Sequence, residues 1–225
     1  MRSVLFDLNG TVLDPAVIAD PLGGGDEERR LVGDAFREAL LMTMADTLSG
    51  GAYRPLPEYL RAALERALRA AGRDTGPLDA AMRRASAMQP FPEAARALGL
   101  LREAGLRVGV LTNSTTETAE RALESARLRD YFDVVLGSDA VKVFKPHPRV
   151  YRHAVSELAV KPEEACLVAA HAWDVAGAMR AGLRGAWVSR SERLLPAVVP
   201  EPDLRGNDLE DTAREIARRR RAATR

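Results

Sequence analysis

The chain has 225 residues, of which 46% are hydrophobic and 29% are charged, and its formal net charge is +1. This composition is that of a globular protein with one large domain or a core plus an inserted lobe, and the charge gives no reason to expect nucleic acid or membrane as a partner. The single Cys166 excludes an intramolecular disulfide, fits a reducing cytoplasm, and lies in an apolar run where a packed core thiol is expected.

Neither a signal peptide nor a membrane span is predicted. The apolar run within residues 1–6 is short and ends at Asp7. No apolar stretch approaches the roughly 20 residues that are needed to cross a bilayer. We therefore expect a cytoplasmic protein.

Short apolar runs alternate with segments of helical period along most of the chain. The runs predict strands at 4–6, 107–111, 134–136, 166–169 and 185–188, and the periodic segments predict helices at 92–103, 116–126, 150–158 and 175–181. Ser114, followed three residues later by Glu117, has the pattern of a capping box for the second of these helices. This alternation predicts an α/β fold with a parallel sheet that is covered by helices on both faces.

Residues 15–88 interrupt the alternation, because their apolar positions follow a helical period throughout. The simplest interpretation is a helical lobe that is inserted after the first strand and lies over the carboxyl ends of the strands. The alternative is that these helices only complete the core.

Polar side chains follow the first predicted strand and the strand at 107–111. Asp7 stands at the end of the first, where a parallel sheet presents catalytic groups, and an aspartate can attack a substrate as a covalent nucleophile. The second strand leads into a helix, whose N-terminus suits an anion, although simple helix capping would also explain polar residues there. The residues concerned are Asp7, Asn9 and Thr11 after the first strand, and Thr112, Asn113 and Ser114 after the second.

Two further segments carry candidate functional groups. Lys145 precedes Pro146, so a restricted backbone would aim it consistently, and a lysine near Asp7 would supply fixed positive charge. Tyr151 would reach the same site if a helix starts near residue 148. Asp174 follows the strand at 166–169, where it is either a helix-start acid or a group that orients Lys145 or a water molecule. An isolated lysine in a loop is more often a solvated surface residue.

Together these segments resemble the haloacid dehalogenase superfamily over nearly the whole chain. The resemblance rests on four motifs in order: FDLNGT at 6–11, LTNS at 111–114, FKPHPRVY at 144–151 and VAAHAWDVAGA at 168–178. It implies a Rossmann-like core formed by residues 1–14 and 89–225, with an all-helical cap at 15–88.

Within the superfamily, two departures distinguish the chemistry. Magnesium-dependent phosphatases of this kind carry a second aspartate where this chain has Asn9, and an acid where it has Ala170. Asn9 has no proton to exchange, and magnesium prefers carboxylate oxygens. The chain instead resembles the type II 2-haloacid dehalogenases, because halide leaves without a proton and the substrate carries a single carboxylate. The resemblance thus implies a hydrolase acting on carbon–halide bonds of short (S)-2-haloalkanoic acids, with no metal and no cofactor.

The resemblance also implies roles for individual residues. Asp7 would displace halide and form an ester, Lys145 would stabilise its charge, and Asp174 would position the water that hydrolyses the ester to a 2-hydroxy acid. The small carboxylate substrate would be bound by Asn9, Thr11, Thr112, Asn113 and Ser114, with Asn113 beside the halide and Tyr151 ordering the pocket.

Two positions depart from the pattern of these dehalogenases. Ala169 and His171 stand where that branch commonly has serine and asparagine, so that His171 would place the water, act as a base, or change the substrate. The halide-binding arginine of the cap is assigned to Arg37, with Arg29 and Arg30 as competitors. The resemblance further implies a homodimer through the cap. The alternatives are a phosphatase with a reduced magnesium site and a non-catalytic relative that binds a small acid.

Overall fold

The computed structural model describes residues 1–190 and 192–222, so the predicted end of the core at residue 225 lies outside the described residues. The strands are β1 (Ser3–Phe6), β2 (Leu13–Asp14), β3 (Gln89–Pro90), β4 (Arg107–Thr112), β5 (Val134–Gly137), β6 (Ala165–Ala169), β7 (Arg184–Val188) and β8 (Leu204–Gly206). The α-helices are α1 (Asp26–Ser49), α2 (Leu56–Ala70), α3 (Leu78–Ala85), α4 (Ala94–Glu103), α5 (Thr116–Ser125), α6 (Pro148–Glu157), α7 (Ala172–Arg180) and α8 (Leu209–Ala222).

Six strands form a parallel sheet in the order β5-β4-β1-β6-β7-β8, which confirms the predicted α/β, Rossmann-like fold. β1 lies inside the sheet, with Phe6 paired to Val110 of β4 and to Val168 of β6. Every residue of β1 and β6 is buried, because helices cover both faces of the sheet. The short edge strand β8 has no clear sequence signal, since its three residues alternate around an exposed Arg205.

The helical segment at 15–88 leaves and re-enters the core through a small antiparallel pair. Leu13 and Asp14 of β2 pair with Pro90 and Gln89 of β3. Between them lie a 3-10 helix (Pro15–Leu22) and the helices α1, α2 and α3. This observation supports a helical cap, and the exact division at residues 14 and 88 stays a prediction.

The cap is tied to the loop that carries Lys145. The Phe144 N–H donates to the Thr47 hydroxyl at 3.2 Å, and the hydroxyls of Tyr53 and Ser138 are 3.1 Å apart. The Phe144 ring stacks on Tyr53, with ring centroids 5.0 Å apart. The loop before α6 is therefore held from above by side chains of the cap.

The predicted cap of α5 is wrong by one residue. Thr115, not Ser114, is the N-cap, and its hydroxyl accepts a hydrogen bond from the Thr118 N–H at 3.2 Å. Ser114 lies one residue before the N-cap, and its hydroxyl accepts a hydrogen bond from the Asn9 side chain across the sheet edge. Cys166 is buried as expected, and burial raises the pKa of its thiol to about 12.

Across residues 1–190 and 192–222, no helix is both long and apolar enough to cross a membrane.

Candidate active site

A buried lysine joins two buried carboxylates at the carboxyl edge of the sheet. Lys145 Nζ lies 2.8 Å from Asp7 Oδ1 and 2.5 Å from Asp174 Oδ2. Asp7 directly follows β1, and Asp174 lies in the first turn of α7, which follows the neighbouring strand β6. The third Nζ hydrogen bond goes to the Leu111 carbonyl oxygen at 2.8 Å. All three donors of the ammonium group are thus used, and the sequence-predicted trio is brought together.

Asn113 fixes the backbone of Lys145. Its side-chain Oδ1 accepts from the Lys145 N–H at 2.8 Å, and its Nδ2 donates to the Lys145 carbonyl oxygen at 3.4 Å. The Asn113 side chain is therefore occupied by this support, whereas the sequence suggested that it faces halide. Its role beside a halide stays a prediction.

Asp7 is held as a carboxylate. Burial alone would raise its pKa, but the charges of Lys145 and His171, with hydrogen bonds from Lys145 and Thr11, outweigh burial and lower the pKa of Asp7 below its usual range. The Thr11 hydroxyl donates to Asp7 Oδ2 at 2.7 Å and accepts from the Ala170 N–H at 3.0 Å. Both oxygens of Asp7 therefore have a fixed donor.

The electrostatics of Asp174 and Lys145 differ from those of Asp7. Burial and the negative charge of Asp7 raise the pKa of Asp174 despite the nearby ammonium group. Burial would lower the pKa of Lys145, but the two carboxylates outweigh it and the pKa is raised. Lys145 consequently stays charged throughout the neutral range.

Tyr151 supports Asp174 from the side of α6. Its hydroxyl donates to Asp174 Oδ1 at 2.7 Å, and burial followed by the charge of Asp174 raises the pKa of Tyr151 well above its usual value. Gly177 makes this contact feasible, because a Cβ there would lie 2.5 Å from the Tyr151 hydroxyl oxygen.

The polar residues after β1 and β4 meet above the sheet edge. Asn9 Nδ2 donates to Ser114 Oγ at 3.1 Å, and the Ser114 N–H donates to Thr112 Oγ1 at 3.1 Å. Thr112 and Ser114 are buried, and they lie beside Asn9 and the start of α5. This cluster places hydroxyl, amide and N–H groups close together, as the sequence predicts.

His171 lies on the other side of Asp7. Its Nε2 is 3.2 Å from the Asn9 carbonyl oxygen and 3.9 Å from Asp7 Oδ2. Its Nδ1 is 3.8 Å from Oε1 of Glu192, a residue that the sequence analysis did not identify. No local pattern marks Glu192, because it follows β7 in a segment without periodicity.

A cavity of about 680 Å³ opens beside this site, between α1 and the sheet edge. Asn9, Gly10 and His171 form part of its wall, while Asp7 lies just behind them with 7% of its side chain exposed. The large apolar side chains that line the cavity come from the cap and from the core: Val32, Phe36, Leu40, Leu41 and Met44 of α1, and Phe91 and Trp173 of the core. The cavity is of a size that suits a small organic molecule.

Arg37 is the one sequence-predicted site residue that stands apart from the cluster. It lines the cavity wall, but 77% of its side chain is exposed and its guanidinium pairs with Asp34 one turn earlier. Arg29 also lines the cavity and pairs with Asp26. Arg30 is exposed on the same helix. The assignment of a halide-binding arginine among these three stays a prediction.

The residues of this site do not fit a magnesium ion. Asp7 and Asp174 share Lys145 as a common cation, and Asn9 and Ala170 supply no carboxylate. In the part of the chain that the structure describes, no three histidine, cysteine or acidic side chains are grouped so that they could hold a metal.

The sheet topology, the inserted helices and the buried Asp–Lys–Asp cluster together define a Rossmann-like α/β protein with a candidate catalytic site at the carboxyl edge of its sheet. The family model of the haloacid dehalogenase-like hydrolases matches residues 1–182, and the chain belongs to that family.

Among the relatives that match most of the chain are dehalogenases. "(S)-2-haloacid dehalogenase 1" of Pseudomonas sp. (strain CBS-3) is 31% identical over 196 residues, which cover 84% of this chain and 85% of that protein. The structure of the L-2-haloacid dehalogenase from Xanthobacter autotrophicus with chloropropionic acid covalently bound has a TM-score of 0.87 and 26% identity, and the match covers 96% of this chain and 98% of that one.

A phosphatase also matches, over a shorter part. The phosphoserine phosphatase of Thermus thermophilus is 40% identical over 124 residues, which cover 54% of this chain and 49% of that protein. The relatives therefore include both dehalogenases and a phosphatase, and the choice between these two reactions depends on the residues of the site.

Proposed function

We propose that this protein is a metal-independent hydrolytic dehalogenase of short (S)-2-haloalkanoic acids. The observation that carries the proposal is an ionised Asp7, clamped by Lys145 and Thr11 beside a largely apolar cavity, with Asn9 and Ala170 where a phosphatase would need acids. The similarity to (S)-2-haloacid dehalogenases over most of the chain supports the same assignment.

In the first half-reaction, Asp7 attacks the halogen-bearing carbon. An Asp7 oxygen forms a bond to that carbon as the carbon–halogen bond breaks, and halide leaves with the electron pair, which inverts the carbon. Halide needs no proton, so the amide of Asn9 is sufficient where a phosphatase needs an acid. The covalently bound chloropropionic acid in the Xanthobacter autotrophicus relative supports an intermediate of this kind.

The substrate carboxylate is bound by the cluster at the start of α5. Thr112, Ser114 and the N–H groups that follow them offer hydrogen bonds, and the N-terminus of α5 adds a favourable dipole. The carboxylate is thereby held apart from Asp7, and the cavity receives the substituent on the 2-carbon. Arg37 or Arg29 would attract the anion from the opposite wall.

In the second half-reaction, water hydrolyses the ester at the Asp7 carboxyl carbon. The products are the 2-hydroxy acid and a regenerated Asp7 carboxylate, with one proton released. Lys145 stabilises the negative charge that develops on the Asp7 oxygens, because its Nζ lies 2.8 Å from Oδ1.

We further propose that the protein is a cytoplasmic homodimer that associates through the cap. Leu41, Met42 and Leu48 on α1 are large apolar side chains with exposed fractions of 64%, 47% and 85%, which supports an interface there. Light scattering on the purified protein and on a Leu48→Glu variant tests this assignment, which a monomeric parent protein would contradict.

Halide release tests the proposed activity. The parent protein should release halide from (S)-2-chloropropionate equally well with EDTA and with added magnesium, and Asp7→Asn should abolish release. A matched assay with p-nitrophenyl phosphate and magnesium tests the phosphatase alternative. Metal-dependent phosphate release without halide release would replace the proposal, and inactivity in both assays would favour a non-catalytic relative.

A further inference from the structure

His171 stands between two acidic groups at the wall of the cavity. Its Nε2 lies 3.2 Å from the Asn9 carbonyl oxygen and 3.9 Å from Asp7 Oδ2, and its Nδ1 faces Glu192 Oε1 at 3.8 Å. The imidazole lies nearly parallel to the indole of Trp173, with an interplanar angle of 13° and ring centroids 5.7 Å apart. The ring is therefore restrained in its plane and presents Nε2 to the reacting carboxylate.

Glu192 is itself fixed in place. Its Oε2 accepts a hydrogen bond from the Ala172 N–H at 2.9 Å, at the first residue of α7. An acid at a helix N-terminus is favoured by the helix dipole. The carboxylate thus has one oxygen anchored on the backbone and the other directed at His171.

Asp174 is poorly placed to contact a water molecule in the cavity. Its side chain is 0% exposed, Oδ2 accepts from Lys145 and Oδ1 accepts from Tyr151. His171, by contrast, is 19% exposed at its side chain and lines the cavity wall. Of these two side chains, the imidazole is the one that both lines the cavity and approaches Asp7.

We propose that His171 is the base that activates water for hydrolysis of the ester on Asp7, and that Glu192 is the residue that positions it. This inference rests on the proposed function, because it requires that ester.

In the neutral imidazole the Nδ1 proton faces Glu192, and Nε2 gives up its contact with the Asn9 carbonyl oxygen to act as the base. Water oxygen bonds to Asp7 Cγ as the C=O electron pair moves onto the carbonyl oxygen, and one water proton passes to His171 Nε2. The C=O bond then re-forms as the bond from Cγ to the substrate-bound oxygen breaks, and the leaving alkoxide takes the proton from His171. The second water proton is released to solvent as the Asp7 carboxyl group ionises.

The charge change on Asp7 prepares His171 for this step. In the free enzyme, burial would lower the pKa of His171, but Glu192, Asp7 and Asp174 outweigh burial and raise it. Two cationic side chains of the site are themselves paired with acids. Lys145 pairs with both aspartates, and Arg190 on the cavity wall pairs with Glu93. Conversion of Asp7 into a neutral ester removes one of the anions that favour the imidazolium, so the pKa of His171 falls when a base is required.

The first experiment separates the two half-reactions. His171→Ala and His171→Gln are mixed with one equivalent of (S)-2-chloropropionate, and halide, hydroxy acid and intact protein mass are followed together. We expect one equivalent of halide at close to the parent rate, a persistent acyl adduct on the protein, and hydroxy acid formation at least about 100-fold slower.

The outcomes of this experiment are distinguishable. A parent protein that releases no halide overturns the proposed function itself. A parent that turns over while either variant forms hydroxy acid at the parent rate overturns the role of His171. Loss of halide release in folded variants overturns the assignment of His171 to the second step.

The second experiment tests Glu192 by the pH dependence of ester hydrolysis. Glu192→Gln keeps an oxygen for the Ala172 N–H but removes the charge, so the acid limb of the rate profile should move to lower pH by roughly one unit. Glu157→Gln is the matched control, because Glu157 faces His153 at 3.9 Å on α6, outside the cavity lining. An unmoved profile in Glu192→Gln, or an equal shift in Glu157→Gln, contradicts the positioning role.

Discussion

Replacement of Lys145 by methionine should strongly destabilise the protein, because it leaves two buried carboxylates without their shared cation. Nζ lies within 2.8 Å of Asp7 and 2.5 Å of Asp174, and the lysine side chain is 0% exposed. Removal of one partner from a buried ion pair costs about 3–5 kcal/mol. Since domains unfold with about 5–15 kcal/mol, Lys145→Met should retain only a marginal fold at neutral pH.

The pH dependence of this loss has a definite sign. Without Nζ, burial and mutual repulsion should raise the folded-state pKa values of Asp7 and Asp174 above the unfolded value near 4. Acids with a raised folded-state pKa destabilise the fold above that pKa, and the penalty is relieved as pH falls through it. The deficit of Lys145→Met relative to the parent should therefore be largest at pH 7.5 and smaller at pH 5.

Urea unfolding followed by tryptophan fluorescence measures both effects, with the exposed Lys161→Met as the matched control. Lys161→Met should stay within about 0.5 kcal/mol of the parent. A Lys145→Met protein within 1 kcal/mol of the parent at pH 7.5, or one whose deficit grows on acidification, would refute the reasoning from the buried cluster.

Contacts around the cavity and α7 give three further predictions. Gly177→Ala should displace the Tyr151 hydroxyl, lower stability by about 1–3 kcal/mol and reduce halide release, whereas Gly99→Ala, with no heavy atom within 4 Å of its new Cβ, should be neutral or stabilising in thermal unfolding. Met44→Trp should narrow the cavity and lower kcat/KM for longer 2-haloacids more than for chloropropionate; equal losses would contradict the cavity as substrate site. Arg37→Met should raise KM for the haloacid several-fold with kcat nearly unchanged, and an unchanged KM would remove Arg37 from the site.

Sequence patterns sufficed for the parts of the site that lie at strand ends. The carboxyl ends of parallel strands meet at one edge, so Asp7 and Asp174 could be placed at the same edge from the apolar runs. The direct pairing of β1 with β6, which makes them neighbours, came from the structure. Lys145 and Tyr151 followed from their motif, and α6 begins at Pro148 as the helix start near residue 148 required.

The remaining contacts depend on side chains that meet across the chain without a periodic signal. The hydrogen bond from the Lys145 N–H to the Asn113 side chain joins residues 32 positions apart. No local turn or helix pattern in the sequence predicts it. Glu192 follows the end of β7 by four residues in an irregular segment, where only the fold directs it toward His171. The orientation of Arg37 on α1 was equally undetermined, because Asp34 on the same face competes for its guanidinium.

The contacts between the cap and the loop before α6 have a mechanical consequence. Thr47 and Tyr53 of the cap hold Phe144, and the next residue is the lysine that binds both carboxylates. A cap that swung away as a rigid body would break these contacts and pull on Lys145. Substrate and product should therefore exchange through small side-chain movements at the cavity mouth, and cap mutations that loosen Phe144 should impair chemistry even where they touch no substrate.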